Sequence, residues 1–429
     1  MMGDSSGASL TGCGGRKLGL LVLSQIFALL FFVFLAVPHL YIQFDGVGPF
    51  GAPAVVDVDA LRMRGILLPL PNDLAKELLI RNALPPRNID LFPSLRDDRI
   101  VIVLYVHYRP HYLKLVISGL SKVHGINETL LIISHDGFYE DMNSIVESIR
   151  FCQVKQIFAP WSPHLFPDEF PGESPQDCKN DDNAEKLGCT GNPDQYGNHR
   201  SVRIVSLKHH WWWMMNTIWD GLTEMKGFNG HIMFIEEDHY VLPNAYRNIQ
   251  ILVNLKEKKC PYCIAVNAAP LDVTSRGEGS RKLYAEKVGN VGYTFNRTVW
   301  ERIHAQAKQF CLFDDYNWDI TMWSRVYPTF GSALYTLRGP RSSAIHFGRC
   351  GLHEGYNQSG PSGCRDSNIE FGFVERADMV PNINHRWRVH KYSIKGYSSG
   401  FEGWGGWGDK RDRHLCLCFS SMYEKPLSL

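Results

Sequence analysis

The chain has 429 residues, of which 44% are hydrophobic and 21% are charged, and its formal net charge is +1. This composition is ordinary for a globular protein. A net charge this small produces no long-range field and argues against a nucleic-acid partner. The eleven cysteines are many for a cytosolic enzyme and indicate an oxidising compartment.

The N-terminus predicts a membrane anchor. Leu18–Val37 is an apolar run of bilayer length. Arg16 and Lys17 precede this run and no Lys or Arg follows it until Arg62, so the positive-inside rule places residues 1–17 in the cytosol. A cleaved signal peptide is the alternative, but the run is longer than a usual signal-peptide core. We therefore predict a type II membrane protein whose remaining chain is lumenal.

Two regions follow the predicted anchor. Residues 38–95 are rich in proline and predict a stem, with one helical patch over residues 72–82. We predict a folded lumenal domain over residues 96–429. Acceptor sites for N-glycosylation, which are usable only on the lumenal side, occur at Asn127, Asn296 and Asn357.

The start of the predicted domain alternates strands and helices. Ile100–Val106 and Thr129–Ser134 are nearly continuous β-rich apolar runs, which is the pattern of strands buried on both faces. Helical spacing follows over residues 112–122 and 138–149, and a third strand is predicted over residues 154–158. This alternation predicts parallel βαβ units with right-handed crossovers, and therefore an α/β fold.

Polar residues follow the two early strands at the edge where open α/β sheets bind ligands. His107 and Arg109 follow the first strand, and Asp136 follows the second. The chain contains no Walker A motif, and no GxGxxG run in it follows a predicted strand and opens a helix. This argues against a dinucleotide-binding or P-loop enzyme and leaves a sugar nucleotide open as the ligand.

The strongest candidate site is a later strand end. Ile232–Ile235 predicts a buried strand that runs directly into Glu236, Glu237 and Asp238. Three carboxylates at the end of a buried strand are costly unless a positive charge lies beside them. A divalent cation that holds a phosphorylated ligand would supply that charge, because hard cations bind carboxylate and phosphate oxygens. A solvated acidic turn is the alternative.

A second acidic cluster supplies candidate general bases. Asp314, Asp315 and Asp319 lie among aromatic residues. Any of the three could accept a proton from a substrate. Alternatively, Asp315 or Asn317 caps a helix predicted over Trp318–Val326.

Three further segments carry weaker indications. Residues 287–292 form a glycine-rich turn that lacks a P-loop lysine and follows no clear strand, so it is weak support for phosphate binding. A helix predicted over residues 200–225 carries the adjacent His209 and His210, which point to different faces and are expected to be structural. His346 ends a short strand, where a single histidine is more often structural than a metal ligand.

The cysteines suggest two local disulfides. Cys178 and Cys189 could close the long loop over residues 161–197. Cys260 and Cys263 form a single CxxC motif, for which a small structural disulfide is favoured because no second pair lies at zinc spacing.

Four blocks of the chain resemble the N-acetylglucosaminyltransferase II family. They are KHHWWW at 208–213, FIEEDHY at 234–240, DDYNWD at 314–319 and IHFGRCGLH at 345–353. The resemblance covers about residues 99–416. It implies a GT-A fold, in which helices flank a Rossmann-like mixed sheet stabilised by disulfides, and an inverting, Mn²⁺-dependent enzyme of the Golgi membrane.

The resemblance also implies the reaction. GlcNAc would move from UDP-GlcNAc to O2 of the α-1,6-arm mannose of N-glycans that already carry GlcNAc on the α-1,3 arm. Asp238 and His346 would bind Mn²⁺, and Asp319 would be the general base. Further expected roles are nucleotide binding by His107, Arg109 and Asp136, support of the metal or donor sugar by Glu236 and Glu237, and acceptor contact by Asp194 and Asn290.

The family's disulfide pattern implies two further pairs, Cys311–Cys416 and Cys350–Cys364, beside the two local ones. Cys152 and Cys418 are then left over, and Cys13 is cytosolic on the predicted topology.

Two other functions stay open on sequence grounds. The chain could be the transferase of the first, α-1,3 arm, or a Golgi lectin that keeps the fold without catalysis. A metal-dependent hydrolase fits less well, because the chain has no HExxH motif.

Overall fold

The structure is a computed structural model that describes residues 56–180, 182–272, 275, 277, 279–348, 382–394 and 402–423. The predicted cytosolic tail and membrane anchor lie outside the described residues, as do Asn357, Cys350 and Cys364. Among the described residues, no helix has the length and apolar character needed to cross a bilayer.

The strands form one large sheet and one small ribbon. In chain order they are β1 (Ile100–Val106), β2 (Leu130–His135), β3 (Gln153–Phe158), β4 (His231–Glu236), β5 (His239–Val241), β6 (Cys263–Asn267), β7 (Lys282–Lys287), β8 (Tyr293–Asn296), β9 (Tyr335–Arg338), β10 (Ala344–His346) and β11 (Arg388–Lys391). The large sheet has the order β11-β7-β9-β6-β8-β4-β1-β2-β3, and β5 pairs with β10 separately.

The helices lie around this sheet. They are α1 (Val58–Met63), α2 (Asp73–Ala83), α3 (Pro110–Leu120), α4 (Glu140–Glu147), α5 (Ala184–Leu187), α6 (Val202–Asn216), α7 (Ala245–Lys259), α8 (Arg297–His304), α9 (Ala307–Leu312), α10 (Trp318–Thr321) and α11 (Lys410–Ser421). Short π-helical segments, Thr217–Gly221 and Met322–Val326, continue α6 and α10.

The predicted βαβ units are confirmed, and the whole sheet is mixed. β1 is parallel to β2 and β4, and β2 is parallel to β3. β8 is antiparallel to both β4 and β6. The two faces of β1 pack into different hydrophobic clusters, since Val101 and Val103 face one and Ile102 and Leu104 face the other. Burial on both faces explains why the sequence of β1 shows no polar alternation.

The helix predicted over residues 200–225 is shorter than expected. Regular α6 ends at Asn216, a π-helical turn follows, and the backbone becomes extended at Leu222. Gly221 lies at this break, where a Cβ atom would collide with the ring of Tyr423. The C-terminal segment therefore packs directly against this break, a contact that helical periodicity alone does not reveal.

Much of the segment predicted as a stem packs into the domain. Leu61, Leu68 and Leu78 are buried in the same core cluster as the central strands. The Asn82 side chain pairs with the backbone of Phe158 in β3 through two hydrogen bonds, each 2.8 Å long. This segment covers the edge strand of the sheet, which would otherwise expose unpaired backbone groups.

Three of the four expected disulfides are present among the described residues: Cys178–Cys189, Cys260–Cys263 and Cys311–Cys416. The last one joins α9 to α11 across 105 residues of chain. Cys152 and Cys418 are buried free thiols, as the pairing by resemblance implied.

Candidate active site

A cleft lies beyond the carboxyl ends of β1, β2 and β4. The strands are parallel and in register, with Tyr105 opposite Glu236 and Val106 opposite His135, so their last residues reach the same edge together. Eight of the ten predicted catalytic, metal and ligand residues line this cleft: His107, Arg109, Asp136, Glu236, Asp238, Asn290, Asp319 and His346. Glu237 and Asp194 do not line it.

Asp238 is a buried carboxylate of the cleft that lies beside a guanidinium and an imidazole. Its Oδ2 atom lies 3.0 Å from Arg109 Nη1 and 3.5 Å from His346 Nε2, while its Oδ1 atom is buried and accepts no hydrogen bond from any described residue. A Cβ atom at Gly348 would collide with Oδ2, so glycine is required there to admit the carboxylate. Burial alone would raise the pKa of Asp238, but His346, Arg109 and His239 together lower it.

This arrangement fits a divalent cation. Asp238, His239 and His346 each offer one ligand atom, and these atoms lie within 4.8 Å of one another. A buried carboxylate oxygen without a hydrogen-bond donor beside an imidazole is a donor set that Mn²⁺ and similar ions accept. The carboxylate is held ionised by its surroundings, which is the form a metal requires.

Glu237 is buried behind the cleft instead of facing it. Its Oε1 atom accepts a hydrogen bond from Arg109 Nε at 2.5 Å, and its Oε2 atom accepts one from the backbone N–H of His107 at 3.0 Å. Both oxygens are therefore used to hold the loop that follows β1. Burial would lower the pKa of Arg109, but the charges of Glu237 and Asp238 outweigh it and raise that pKa. This location argues against direct contact of Glu237 with a donor sugar.

Asp136 organises the opposite end of the cleft. Its Oδ2 atom lies 3.1 Å from His107 Nδ1 and 3.5 Å from His164 Nε2, and Oδ1 accepts a hydrogen bond from Ser162 Oγ at 2.7 Å. Burial would raise its pKa, but the hydrogen bonds from His107 and His164 and the charge of His210 lower it. The result is a fixed group of polar side chains next to Tyr105, suited to the heterocycle and hydroxyl groups of a nucleotide.

Asp319 is the carboxylate of the second acidic cluster that enters the cleft. Its Oδ2 atom accepts a hydrogen bond from Asn290 Nδ2 at 3.1 Å, and Oδ1 accepts one from the backbone N–H of Ile320 at 2.8 Å. No ion pair to Asp319 occurs among the described residues. Burial, with a smaller contribution from the charge of Asp315, raises its pKa to about 6. A carboxylate with a pKa close to neutrality is suited to proton transfer.

Asp314 and Asp315 are fixed by backbone groups and serve structure. Asp315 is fully buried and accepts hydrogen bonds from the backbone N–H groups of Asn317 and Trp404, at 2.8 Å each. Asp314 accepts from the backbone N–H groups of Gln195 at 2.6 Å and Trp407 at 3.0 Å. The predicted helix cap is wrong, because neither Asp315 nor Asn317 makes a side-chain cap hydrogen bond to the helix that begins at Trp318. Asp315 instead ties the chain before this helix to the segment around Trp404.

Asp194 also binds the glycine-rich segment over residues 403–408, which Asp314 and Asp315 contact. It accepts hydrogen bonds from the backbone N–H groups of Tyr196 at 2.9 Å, Asn198 at 2.8 Å and Gly406 at 2.8 Å. It is buried and lies outside the cleft, so the structure does not place it for direct contact with an acceptor.

The glycine-rich turn that carries Asn290 connects β7 to β8. The expectation that no strand precedes this turn is wrong, because β7 ends at Lys287. Its mixed sequence KLYAEK hides the strand. The Asn267 side chain donates to the carbonyls of Gly289 at 2.9 Å and Val291 at 3.3 Å, and so fixes the turn that presents Asn290 to Asp319.

The KHHWWW block of α6 is structural, as predicted. Trp211, Trp212 and Trp213 are buried in the core. His209 Nε2 lies 2.9 Å from Asp412 Oδ1, and His210 Nε2 lies 2.8 Å from Ser134 Oγ. The two adjacent histidines thus face different partners.

Lys208 lies at the start of the same block and is also buried. Its Nζ donates to the carbonyls of Phe313 at 3.0 Å and Asp315 at 2.8 Å. It supports the loop that carries the second acidic cluster.

Sequence interpretation missed His164 and Arg203, which also line the cleft. His164 follows β3 by six residues, so the strand-end argument applied to the first two strands would have found it. Arg203 lies in the first turn of α6, where nothing in the local sequence distinguishes it from a solvated side chain.

Comparison with known proteins gives a consistent result. A family model described as N-acetylglucosaminyltransferase II (MGAT2) matches residues 77–416. A protein of Arabidopsis thaliana named alpha-1,6-mannosyl-glycoprotein 2-beta-N-acetylglucosaminyltransferase is 62% identical over 354 residues, which cover 82% of each chain. Proteins with the same name from Rattus norvegicus and Homo sapiens are 34% and 33% identical, each over 78% of this chain and over 77% and 76% of their own.

Among solved structures, a crystal structure of S. aureus TarS matches 47% of this chain and 29% of its own at 11% identity, with a TM-score of 0.25. A likeness at that score supports no inference about the fold.

Proposed function

The chain belongs to the N-acetylglucosaminyltransferase II family, and we propose that it transfers GlcNAc from UDP-GlcNAc to O2 of the α-1,6-arm mannose of N-glycans. The acceptor would already carry GlcNAc on the α-1,3 arm, and the anomeric configuration would invert. The observation that supports this proposal is that one cleft contains two carboxylates whose pKa values are shifted in opposite directions. Asp238 has a lowered pKa beside His346, and Asp319 has a pKa of about 6.

The donor nucleotide would occupy the end of the cleft around Asp136. There His107 and His164 supply hydrogen-bonding nitrogens, and Tyr105 supplies an aromatic wall. Arg109 would face the diphosphate from the loop after β1, held in place by Glu237. Glu236, which also lines the cleft, would contact the donor sugar. Burial and the charges of Asp238 and Asp319 raise its pKa well above the ordinary range, so it is disposed to donate a hydrogen bond.

Asp238 and His346 would hold Mn²⁺. When bound, the ion would act as a Lewis acid that neutralises charge on the leaving diphosphate. The residues present fit this role, because Asp238 is ionised, its Oδ1 atom accepts no direct hydrogen bond from any described residue and an imidazole lies beside it.

Asp319 would take the proton from mannose O2 as this oxygen attacks the anomeric carbon. A single displacement with inversion requires one general base on the acceptor side and no second nucleophilic carboxylate. Asn290 would orient Asp319 through its 3.1 Å hydrogen bond and would lie within reach of the acceptor.

The cellular setting follows the sequence. We propose a GT-A type catalytic domain on a type II signal anchor over residues 18–37, with a short cytosolic tail and a lumenal location in the Golgi. Of the acceptor asparagines, Asn127 is exposed and Asn296 is half-buried. Such a protein would act on glycoproteins during complex N-glycan synthesis.

The test uses the full-length chain in detergent with UDP-GlcNAc, Mn²⁺ and an N-glycan core that carries one GlcNAc on the α-1,3 arm. Mass spectrometry should show one added HexNAc, which disappears with EDTA and returns with excess Mn²⁺. The bare trimannosyl core is the matched control. Addition to that core would assign the chain to the first arm, and UDP binding without addition to either acceptor would favour a lectin.

A further inference from the structure

Two histidines face the carboxylate of Asp238. In the β5–β10 ribbon, His239 and His346 are direct cross-strand partners. His346 Nε2 lies 3.5 Å from Asp238 Oδ2, and His239 Nε2 lies 4.0 Å from Asp238 Oδ1. Ligand atoms of all three residues lie within 4.8 Å of one another. By distance alone, both imidazoles qualify as ligands of the proposed metal.

A hydrogen bond to the other nitrogen of the His239 ring, Nδ1, distinguishes the role of His239 from that of His346. The backbone N–H of Glu236 donates to His239 Nδ1 at 3.1 Å. A backbone amide can only donate, so Nδ1 must present a lone pair. In a neutral imidazole, one nitrogen accepts while the other carries the proton. The proton of His239 is therefore on Nε2, the atom that points toward Asp238.

A nitrogen that carries a proton has no lone pair for a cation. His239 is 2% exposed, and its ring packs edge-on against His346 with a centroid separation of 5.6 Å. Turning the ring over to present the other nitrogen would leave the amide of Glu236 without this acceptor, which is costly in a buried position. The fold thus fixes His239 as a hydrogen-bond donor.

We infer that His239 is a positioning residue for Asp238 and that His346 is the only imidazole ligand of the metal among the described residues. His239 Nε2 lies 4.0 Å from Asp238 Oδ1, too far for a direct hydrogen bond, so one water molecule would relay the N–H of His239 to that oxygen. Arg109 already donates to Oδ2, so donors approach both oxygens and fix the plane of the carboxylate. Each carboxylate oxygen has more than one lone pair, and the remaining ones stay available to a cation. This inference rests on the proposed Mn²⁺ site.

Three substitutions at His239 distinguish the roles of its two ring nitrogens. His239→Gln keeps an N–H close to the position of Nε2, His239→Asn keeps an acceptor close to the position of Nδ1, and His239→Ala keeps neither. For a positioning donor, the affinity for Mn²⁺ alone should fall roughly 10-fold or more in His239→Ala and His239→Asn, the size typical of supporting groups. His239→Gln should recover most of that loss. Circular dichroism of each variant checks that it is folded.

Pulsed electron paramagnetic resonance on bound Mn²⁺ then counts coordinated nitrogens. We expect one nitrogen in the unchanged protein, one in metal-saturated His239→Ala and none in His346→Gln. Two nitrogens in the unchanged protein that fall to one in His239→Ala would overturn the inference and leave the metal site intact. An unchanged Mn²⁺ affinity in His239→Ala would also overturn it. Failure of the unchanged protein to bind Mn²⁺ would instead reject the metal site itself.

Discussion

The first acidic cluster (Glu236, Glu237 and Asp238) and the second (Asp314, Asp315 and Asp319) each place three carboxylates in a short stretch of chain. In the first, positive charge compensates two of the three carboxylates, because Arg109 contacts Glu237 and Asp238, and two imidazoles also lie near Asp238. In the second, backbone amides donate to all three carboxylates, and Asp319 has no ion pair among the described residues.

This difference in compensation gives the two cleft carboxylates opposite properties. The groups around Asp238 lower its pKa, so it stays ionised and can bind a cation. Burial without an opposite charge raises the pKa of Asp319 to about 6, so it can accept and release a proton near neutrality. Residues of the same type thus acquire different chemistry from their environment, as is common where acid and base roles are divided.

The largest expected effect on activity concerns the proposed general base, Asp319. Asp319→Asn should lower kcat by roughly 10²- to 10⁴-fold, the usual contribution of a general base, because the amide cannot take the proton. The affinity for UDP in the presence of Mn²⁺ should stay within about two-fold, since Asp319 does not belong to the group of residues whose ligand atoms cluster at the proposed metal site. Initial rates and titration calorimetry measure the two quantities.

Asp238→Asn is the matched control for Asp319→Asn, because it makes the same chemical change in the other cluster. It should weaken Mn²⁺-dependent UDP binding. If Asp319→Asn lost UDP binding while Asp238→Asn kept it, the two roles would have to be exchanged.

The second prediction concerns the carboxylate behind the cleft. Glu237→Gln should reduce kcat/KM for the donor by roughly 10- to 100-fold, as expected for a residue that orients ligand-binding groups. The reason is that an amide cannot accept hydrogen bonds from both Arg109 and the His107 backbone on its two ends. Glu236→Gln is the comparison, since it preserves a donor in a side chain that lines the cleft. Equal losses in both variants would argue against a special role for Glu237.

The third prediction concerns Lys208, which supports the loop that carries the second acidic cluster. Lys208→Met should lower the free energy of unfolding by about 2 kcal/mol, because the buried carbonyls of Phe313 and Asp315 each lose a hydrogen bond. Urea unfolding measures the change. Lys114→Met alters an exposed lysine on α3 and should change stability by less than about 0.5 kcal/mol. Similar values for the two variants would show that Lys208 adds nothing specific.

The smallest effect concerns pH. Protonation of Asp319 removes the base, so log kcat should fall as the pH decreases through about 6. Asn290→Ala removes a donor to the ionised carboxylate, so the pKa should rise and this limb should move to higher pH by roughly half a unit. Asn244→Ala, whose amide donates to Asn382, is the control and should leave the limb in place. A shift to lower pH in Asn290→Ala would contradict the assignment.

Part of the site could be predicted from strand ends alone. The buried runs that became β1, β2 and β4 are recognisable because strands covered on both faces lose polar alternation. The alternation of strands and helices predicts parallel strands, which places His107, Asp136 and Asp238 at one edge of the sheet. The structure brings these residues into one cleft. The assignment of His346 and Asp319 to the same site depended on family resemblance, since a single histidine and one aspartate among three carry no local indication.

The sequence by itself determined which segments are strands, where their polar ends lie and that carboxylates collect beside them, because these features depend on local periodicity. Only the tertiary structure decided which carboxylate faces the cleft. Glu237 turns away to bind Arg109, 128 residues earlier in the chain. Asp194 binds the amide of Gly406, 212 residues later. A buried carboxylate takes the role that its hydrogen-bond donors impose, and here those donors come from distant segments that only folding brings together.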